Sequence, residues 1–203
     1  MPRAVRPAYD VESLTDVAVA VFSARGYDAT RMEHIARAAN ISKSSLYHHV
    51  ASKEELLGHA LRRAVRGLSA ILDEPGVLEG SPSARLEYVL RRTVEVELQF
   101  LPEVSLLIRV RGNTAVEREA LEERRRFQER VTELVAQAQA AGDLGDDVDP
   151  ALFARLALGM SNSLVDWYRP DGTWSVRQIC DAVLKIAAKS TRPSVGGAGR
   201  RSR

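Results

Sequence analysis

The sequence is short of cysteine, of aromatics and of long apolar runs. Cys180 is the one cysteine among 203 residues, which excludes an internal disulfide framework and any CxxC metal or redox motif. That usage fits a chain kept in a reducing cytoplasm. Aromatics make up 5% of the residues, and no apolar run approaches the roughly 18 residues of a membrane span, so no membrane partner is expected. Met1 to Asp10 lacks the apolar stretch and cleavage site of a signal peptide. An excess of one charge is missing too, since 29 Lys and Arg face 27 Asp and Glu. What is present is 45% hydrophobic and 28% charged residues, an ordinary balance with enough apolar material for a core. The length suits one or two domains.

Nothing alternates apolar and polar over several residues between turn signals, so strands are not expected. Helical period runs almost throughout. Leu14, Val17, Ala18, Val21 and Phe22 share a face between Val11 and Ser23, and Gly26 supplies a stop. Thr30 with Glu33 reads as a capping box for a helix through Ala38, and Asn40 as its left-handed cap. Ser42 caps a helix from Lys43 to His49, and Ser52 with Glu55 opens a long one from Lys53 toward Asp73. Glu74 to Ser83 reads as a loop. Helices follow over Ala84–Leu101, Val104–Arg111, Ala115–Ala141, Pro150–Trp167 and Ser175–Ala188, with Pro102 as a break. The expectation is nine helices in an all-α chain. Residues 1–52 are expected to form a small three-helix module, 53–190 a larger helical bundle, and 191–203 a disordered basic tail.

The informative stretch is Ala29 to Leu57, ATRMEHIARAANISKSSLYHHVASKEELL. Two short helices joined at Ala39–Asn40–Ile41 make a helix-turn-helix, whose second helix lies in the major groove of DNA. Ile35, Ala36, Ala39, Ile41 and Leu46 supply the small apolar contacts between them. The outward face of the second helix holds Ser42, Lys43, Ser44, Ser45, Tyr47 and His48. Small residues let a helix lie deep in the groove, and hydroxyls or Lys meet phosphates and base edges. Tyr47 could instead be a core aromatic between the helices, and Lys43 and Lys53 solvated surface charges. The four histidines, His34, His48, His49 and His59, have neither the i, i+4 spacing nor the carboxylate of a zinc site, so no metal is expected.

From Val11 to Leu57 the sequence resembles the TetR/AcrR family of transcriptional regulators. The matching residues are Phe22, Gly26–Tyr27, Thr30, Ile35–Ala36, Ile41–Ser42, Leu46–Tyr47–His48, Ser52–Lys53–Glu54 and Leu57. The resemblance implies a homodimeric DNA-binding repressor whose C-terminal domain binds a small effector. It also implies phosphate contacts from Thr30, Tyr47, His48 and Lys53, with Ser42, Lys43, Ser44 and Ser45 entering the groove. His49 and Val50 depart from the family's usual aromatics, and Val50 is expected to pack regardless.

The last two long helices carry wide apolar faces, including Leu152, Leu156, Leu164 and Trp167 on one and Ile179, Val183 and Ile186 on the other. They pack either inside the protomer or, as the family reading has it, in a four-helix dimer interface. A dimer also suits a palindromic operator, whose half-sites lie about 34–36 Å apart or at a multiple of that. An effector pocket is expected in which Tyr88, Arg111 and Asn162 are polar groups sparsely placed on apolar surfaces and Phe100, Leu107, Phe127 and Met160 supply the walls. Asp166 to Ile179, DWYRPDGTWSVRQI, further resembles a subgroup that senses acyl-CoA thioesters in lipid, steroid or aromatic-acid catabolism. Against an acyl-CoA, Arg155 is the one basic residue between Pro150 and Trp167, so arginines such as Arg109, Arg111, Arg124 or Arg169 would have to meet its phosphates.

An enzyme is not expected. Cys180 has no histidine in the C-terminal region to activate it, and no Gly-rich phosphate loop or cofactor motif exists. The alternatives are a plain interaction bundle, which leaves the fixed-spacing motif unexplained, or a DNA-binding protein without an effector. Charge divides unevenly along the chain. Residues 1–60 hold 7 basic and 7 acidic residues, 61–190 hold 18 and 20, and the tail holds four arginines and no acid.

Overall fold

The computed structural model describes residues 9–189, and among them every regular element is a helix. The basic tail 191–203 lies outside the described residues. In order the helices are α1 (Val11–Arg25), α2 (Met32–Ala38), α3 (Lys43–Tyr47), α4 (Lys53–Ile71), α5 (Pro75–Leu78) and α6 (Pro82–Gln99). They continue with α7 (Leu101–Arg109), α8 (Ala115–Ala140), α9 (Pro150–Asn162), α10 (Leu164–Trp167) and α11 (Val176–Lys189). Two departures from the expected nine arise locally. Pro75 opens a one-turn helix in the expected Glu74–Ser83 loop. The expected Pro150–Trp167 helix breaks at Ser163, whose hydroxyl bonds the Met160 carbonyl at 2.7 Å and draws the backbone off the ladder.

By contact the chain divides into two compact units. One runs to Ser69 and includes Gln99–Arg125; the other is Ala70–Leu98 with Arg126 onward. In the first, α1 starts with a capping box between Asp10 and Ser13 and stops at Gly26, whose φ of +81° suits glycine. The buried face of α1 is Leu14, Thr15, Ala18, Val19 and Phe22. Thr15 and Val19 therefore replace the expected Val17 and Val21, because α7 as well as α2 packs on this helix and sets which stripe is covered. Arg63 on α4 ties the same elements together, pairing with Asp16 of α1, the Glu12 carbonyl at 2.9 Å and the mostly buried Glu103 of α7 at 3.5 Å.

The second unit packs α6, α10 and α11 around Val94, Leu164, Ile179, Cys180 and Val183. Arg91 of α6 reaches Asp181 of α11 at 3.0 Å. Burial pushes the Cys180 thiol up, so it behaves as a small apolar side chain. From α6, Arg92 grips Glu74 ahead of the helix through Nε at 2.9 Å and Nη2 at 3.0 Å, and the Tyr88 hydroxyl donates to the same carboxylate at 2.7 Å.

Candidate nucleic-acid interface

The helix-turn-helix closes as its sequence requires. Asn40 takes the expected left-handed conformation at φ +54°, and the Ile41 N–H returns to the Ala36 carbonyl at 3.0 Å. Ile35, Ala36, Ala39 and Leu46 are buried between the helices, and Val50 is buried despite its departure from the usual aromatic. The Ser42 hydroxyl accepts from the Ser45 N–H at 3.0 Å and so caps α3.

With Leu46 buried, the opposite side of α3 is free. Ser42, Lys43, Ser44, Tyr47 and His48 are exposed, and Ser45 is half-buried. Tyr47 is 46% exposed, so it is not a core aromatic spanning the helices. The Lys43 ammonium lies 5.8 Å from the Tyr47 ring centroid and pairs with Glu33 of α2. That pairing raises the Lys43 pKa and holds the Glu33 carboxyl below its usual value. Lys43 therefore stays fully charged, resting on a surface carboxylate.

Two of the expected contacts stand elsewhere. Thr30 is 1% exposed, and its hydroxyl donates to the Gly26 carbonyl at 2.7 Å; its side chain stitches the α1–α2 turn and faces inward. The N-terminal cap of α2 accordingly falls to Arg31, whose N–H donates to His34 Nδ1 at 3.2 Å, while Glu33 is occupied by Lys43. Lys53 turns its ammonium onto backbone carbonyls of the same turn. Tyr27, which the sequence did not single out as a site residue, lies beneath it. Burial first, then the carboxylates of Glu54, Glu117 and Asp28, push the Tyr27 phenol up to about 12.

The expected pocket residues divide between the two units. Phe100, Leu107 and Arg111 fall in the first unit, with Leu107 buried and Arg111 exposed. Arg111 has its N–H on the Glu117 carboxylate, as do Gly112 and Asn113, a loop-closing arrangement not foreseen from the sequence. Tyr88, Phe127, Met160 and Asn162 fall in the second. There the Tyr88 hydroxyl is held by Glu74 and its ring lies against Gly76, while Phe127 is buried and Asn162 half-buried. Met160 lines an open trough of about 500 Å³ with Trp167, Trp174, Ile179, Val183 and Ile186.

The apolar residues expected at an interface divide into two groups. Leu164, Ile179 and Val183 are buried in the core of the second unit, where Ile179 and Val183 form the floor of the trough beside Trp167 and Ile186. Leu152, Leu156, Trp167 and Ile186 are 45% to 60% exposed. Trp174, missed in the sequence, joins them at 59% and meets Trp167 edge to face with centroids 6.0 Å apart. The motif contained Trp174, but nothing in residue type or spacing distinguishes an exposed tryptophan from a core one.

A buried-backed, capped and polar-faced α3 following α2 defines a helix-turn-helix DNA-binding module. Comparison with known proteins gives the family. Residues 14–60 match the family described as bacterial regulatory proteins, tetR family, and residues 79–191 match the tetracyclin repressor-like C-terminal domain. The chain belongs to the TetR family of DNA-binding transcriptional regulators and is not expected to be an enzyme. It is similar to the transcriptional repressor KstR2 of Mycolicibacterium smegmatis, 29% identical over 94% of this chain and 95% of that one. It also resembles SCO3833, a TetR-family member from Streptomyces coelicolor A3, with a TM-score of 0.83 and 50% identity over 95% of both chains. A third likeness is AibR, solved with isovaleryl coenzyme A and operator DNA, with a TM-score of 0.73 and 25% identity over 87% of this chain and 96% of that one. Among the described residues no helix is long and apolar enough to cross a membrane.

Proposed function

We propose that this protein is a dimeric, effector-released repressor that reads a palindromic operator through α3. One observation carries the reading: Ser42, Lys43, Ser44, Tyr47 and His48 stand exposed on a short helix whose other side is locked down by Leu46. Ser42, Ser44 and Ser45 have the small size needed to approach base edges, and Lys43, Tyr47 and His48 reach phosphates. Residues 1–52 are the reading module and 53–190 carry effector binding and dimerisation. The exposed Leu152, Leu156, Trp167, Trp174 and Ile186 form the face that a second copy covers.

The effector class we favour is an acyl-CoA thioester. The DWYRPDGTWSVRQI stretch suggests it, and AibR, a relative at 25% identity, was solved with such a compound. The test is fluorescence anisotropy on duplexes from the promoter of the protein's own gene. Affinity should fall steeply as salt rises, because each phosphate contact releases counterions. Acyl-CoA thioesters should release the duplex and raise the melting temperature. A salt-independent complex, or none on any such fragment, overturns DNA binding. If a panel of thioesters and free acids changes nothing while DNA alone stabilises the protein, the effector-free alternative takes its place.

A further inference from the structure

Lys53 is the first residue of α4, and its ammonium is fully engaged within the protein. Nζ donates to the carbonyls of Tyr27 at 2.9 Å and Thr30 at 3.0 Å, with that of Asp28 at 3.3 Å. An ammonium has three protons, and three acceptors are arranged around this one. It also lies 4.4 Å from the centroid of the Tyr27 ring, a position in which the ring face attracts a cation. The acceptors converge because Gly26, at φ +81°, reverses the chain and the Thr30 hydroxyl fastens back onto the Gly26 carbonyl. Tyr27 is in turn held edge-on by Phe22, with centroids 5.1 Å apart. The next residues enter α2, and the Ile41 N–H to Ala36 carbonyl bond carries that placement on to α3.

We propose that Lys53 is a positioning residue for operator reading. Its ammonium pins the Gly26–Thr30 turn to the start of α4, so that α2 and α3 meet DNA in register, and it supplies no phosphate contact of its own. This departs from the phosphate role that family resemblance assigns to the position, and it rests on the operator-binding function proposed above. Two mechanisms give different signatures. A phosphate contact weakens all duplexes alike when removed and makes the slope of log K against log salt shallower by about one unit. A positioning residue leaves the slope unchanged and costs affinity mainly on the operator, where register matters.

The test is Lys53→Met in the full chain, which keeps the aliphatic stem and removes the charge. Operator affinity should drop about tenfold, or about 1.4 kcal/mol. Random-duplex affinity should change less than about twofold, and the salt slope should match wild type. In the free protein, amide exchange over residues 27–31 should accelerate while that of α4 beyond its first turn does not. A uniform loss with a flattened slope overturns the proposal, and so does unchanged exchange at the turn. A melting temperature that drops while the operator-to-random ratio stays put overturns it as well. Tyr27→Leu is the second variant. It removes the ring but leaves the charge, so operator preference should weaken, whereas a phosphate-bound Lys53 predicts no change. If wild type binds no duplex at all, the operator reading falls, and the exchange measurement by itself decides whether Lys53 pins the turn.

Discussion

Glu74 shows what a single residue does in this fold. Its carboxylate takes two parallel hydrogen bonds from Arg92 and one from Tyr88. Arg92 first of all holds that carboxyl below its usual range, and the Glu74 carboxylate in turn raises the Tyr88 phenol. A carboxyl whose folded pKa is depressed stabilises the fold fully above its unfolded value and loses that contribution as pH falls through the folded value. Arg92→Leu should therefore lower stability by about 1 kcal/mol at neutral pH, a partly solvated charge-assisted pair being worth no more. The gap between variant and wild type in urea unfolding should shrink on acidification below the usual carboxylate range, where Glu74 takes up its proton. A gap that stays constant with pH would mean that Arg92 contributes packing and not charge. The same cluster explains why Tyr88, expected to orient an effector, has its hydroxyl turned to Glu74.

At the scale of the element, α3 is five residues long and depends on its cap. So short a helix has little propagation to offset nucleation, and Ser42 supplies one of the few bonds its first turn can make. Ser42→Ala should cost about 1 kcal/mol in thermal unfolding. Ser42→Asp separates the two duties of the residue. Aspartate caps as well as serine, so stability should stay within about 0.5 kcal/mol of wild type. The added negative charge faces the groove, so operator binding in anisotropy should be lost. Retained binding would remove Ser42 from the DNA-facing set. Element ends were also where the sequence was most legible: the Gly26 stop, the Asn40 bend, the Ser42 cap and Pro150 at the head of α9 all stand near where residue type places them. Caps and stops depend on one to four consecutive residues, so a linear reading captures them. Thr30 misled because threonine bonds backward to a carbonyl as readily as forward to an N–H, and the turn made at Gly26 selected the backward bond.

For the whole molecule the question is which apolar face meets a second copy. Leu156 is 60% exposed, so Leu156→Glu should cost little within one protomer. If its face is the dimer interface, the variant should sediment as a monomer and bind operator at least about 100-fold more weakly, because the two half-sites no longer act together. A variant that remains dimeric places the interface elsewhere. Ile179→Glu serves as the contrast: at 6% exposure it should unfold the second unit before any question of assembly arises.

By itself, the sequence determined that the chain is helical, that residues 29–57 hold two helices at helix-turn-helix spacing, and that one side of the second is polar and slender. These follow from periodicity, capping and local turn chemistry, each acting within a few residues. Tertiary structure alone decided which members of a wide apolar face turn inward, separating Leu164, Ile179 and Val183 from Leu152, Leu156, Trp167 and Ile186. It also decided where long charged side chains end. Lys53 meets carbonyls more than twenty residues earlier in the chain, and Arg63 meets Glu103 forty residues later. A flexible side chain of four or more rotatable bonds goes wherever folding places its best acceptors, and that placement is not encoded in its neighbours.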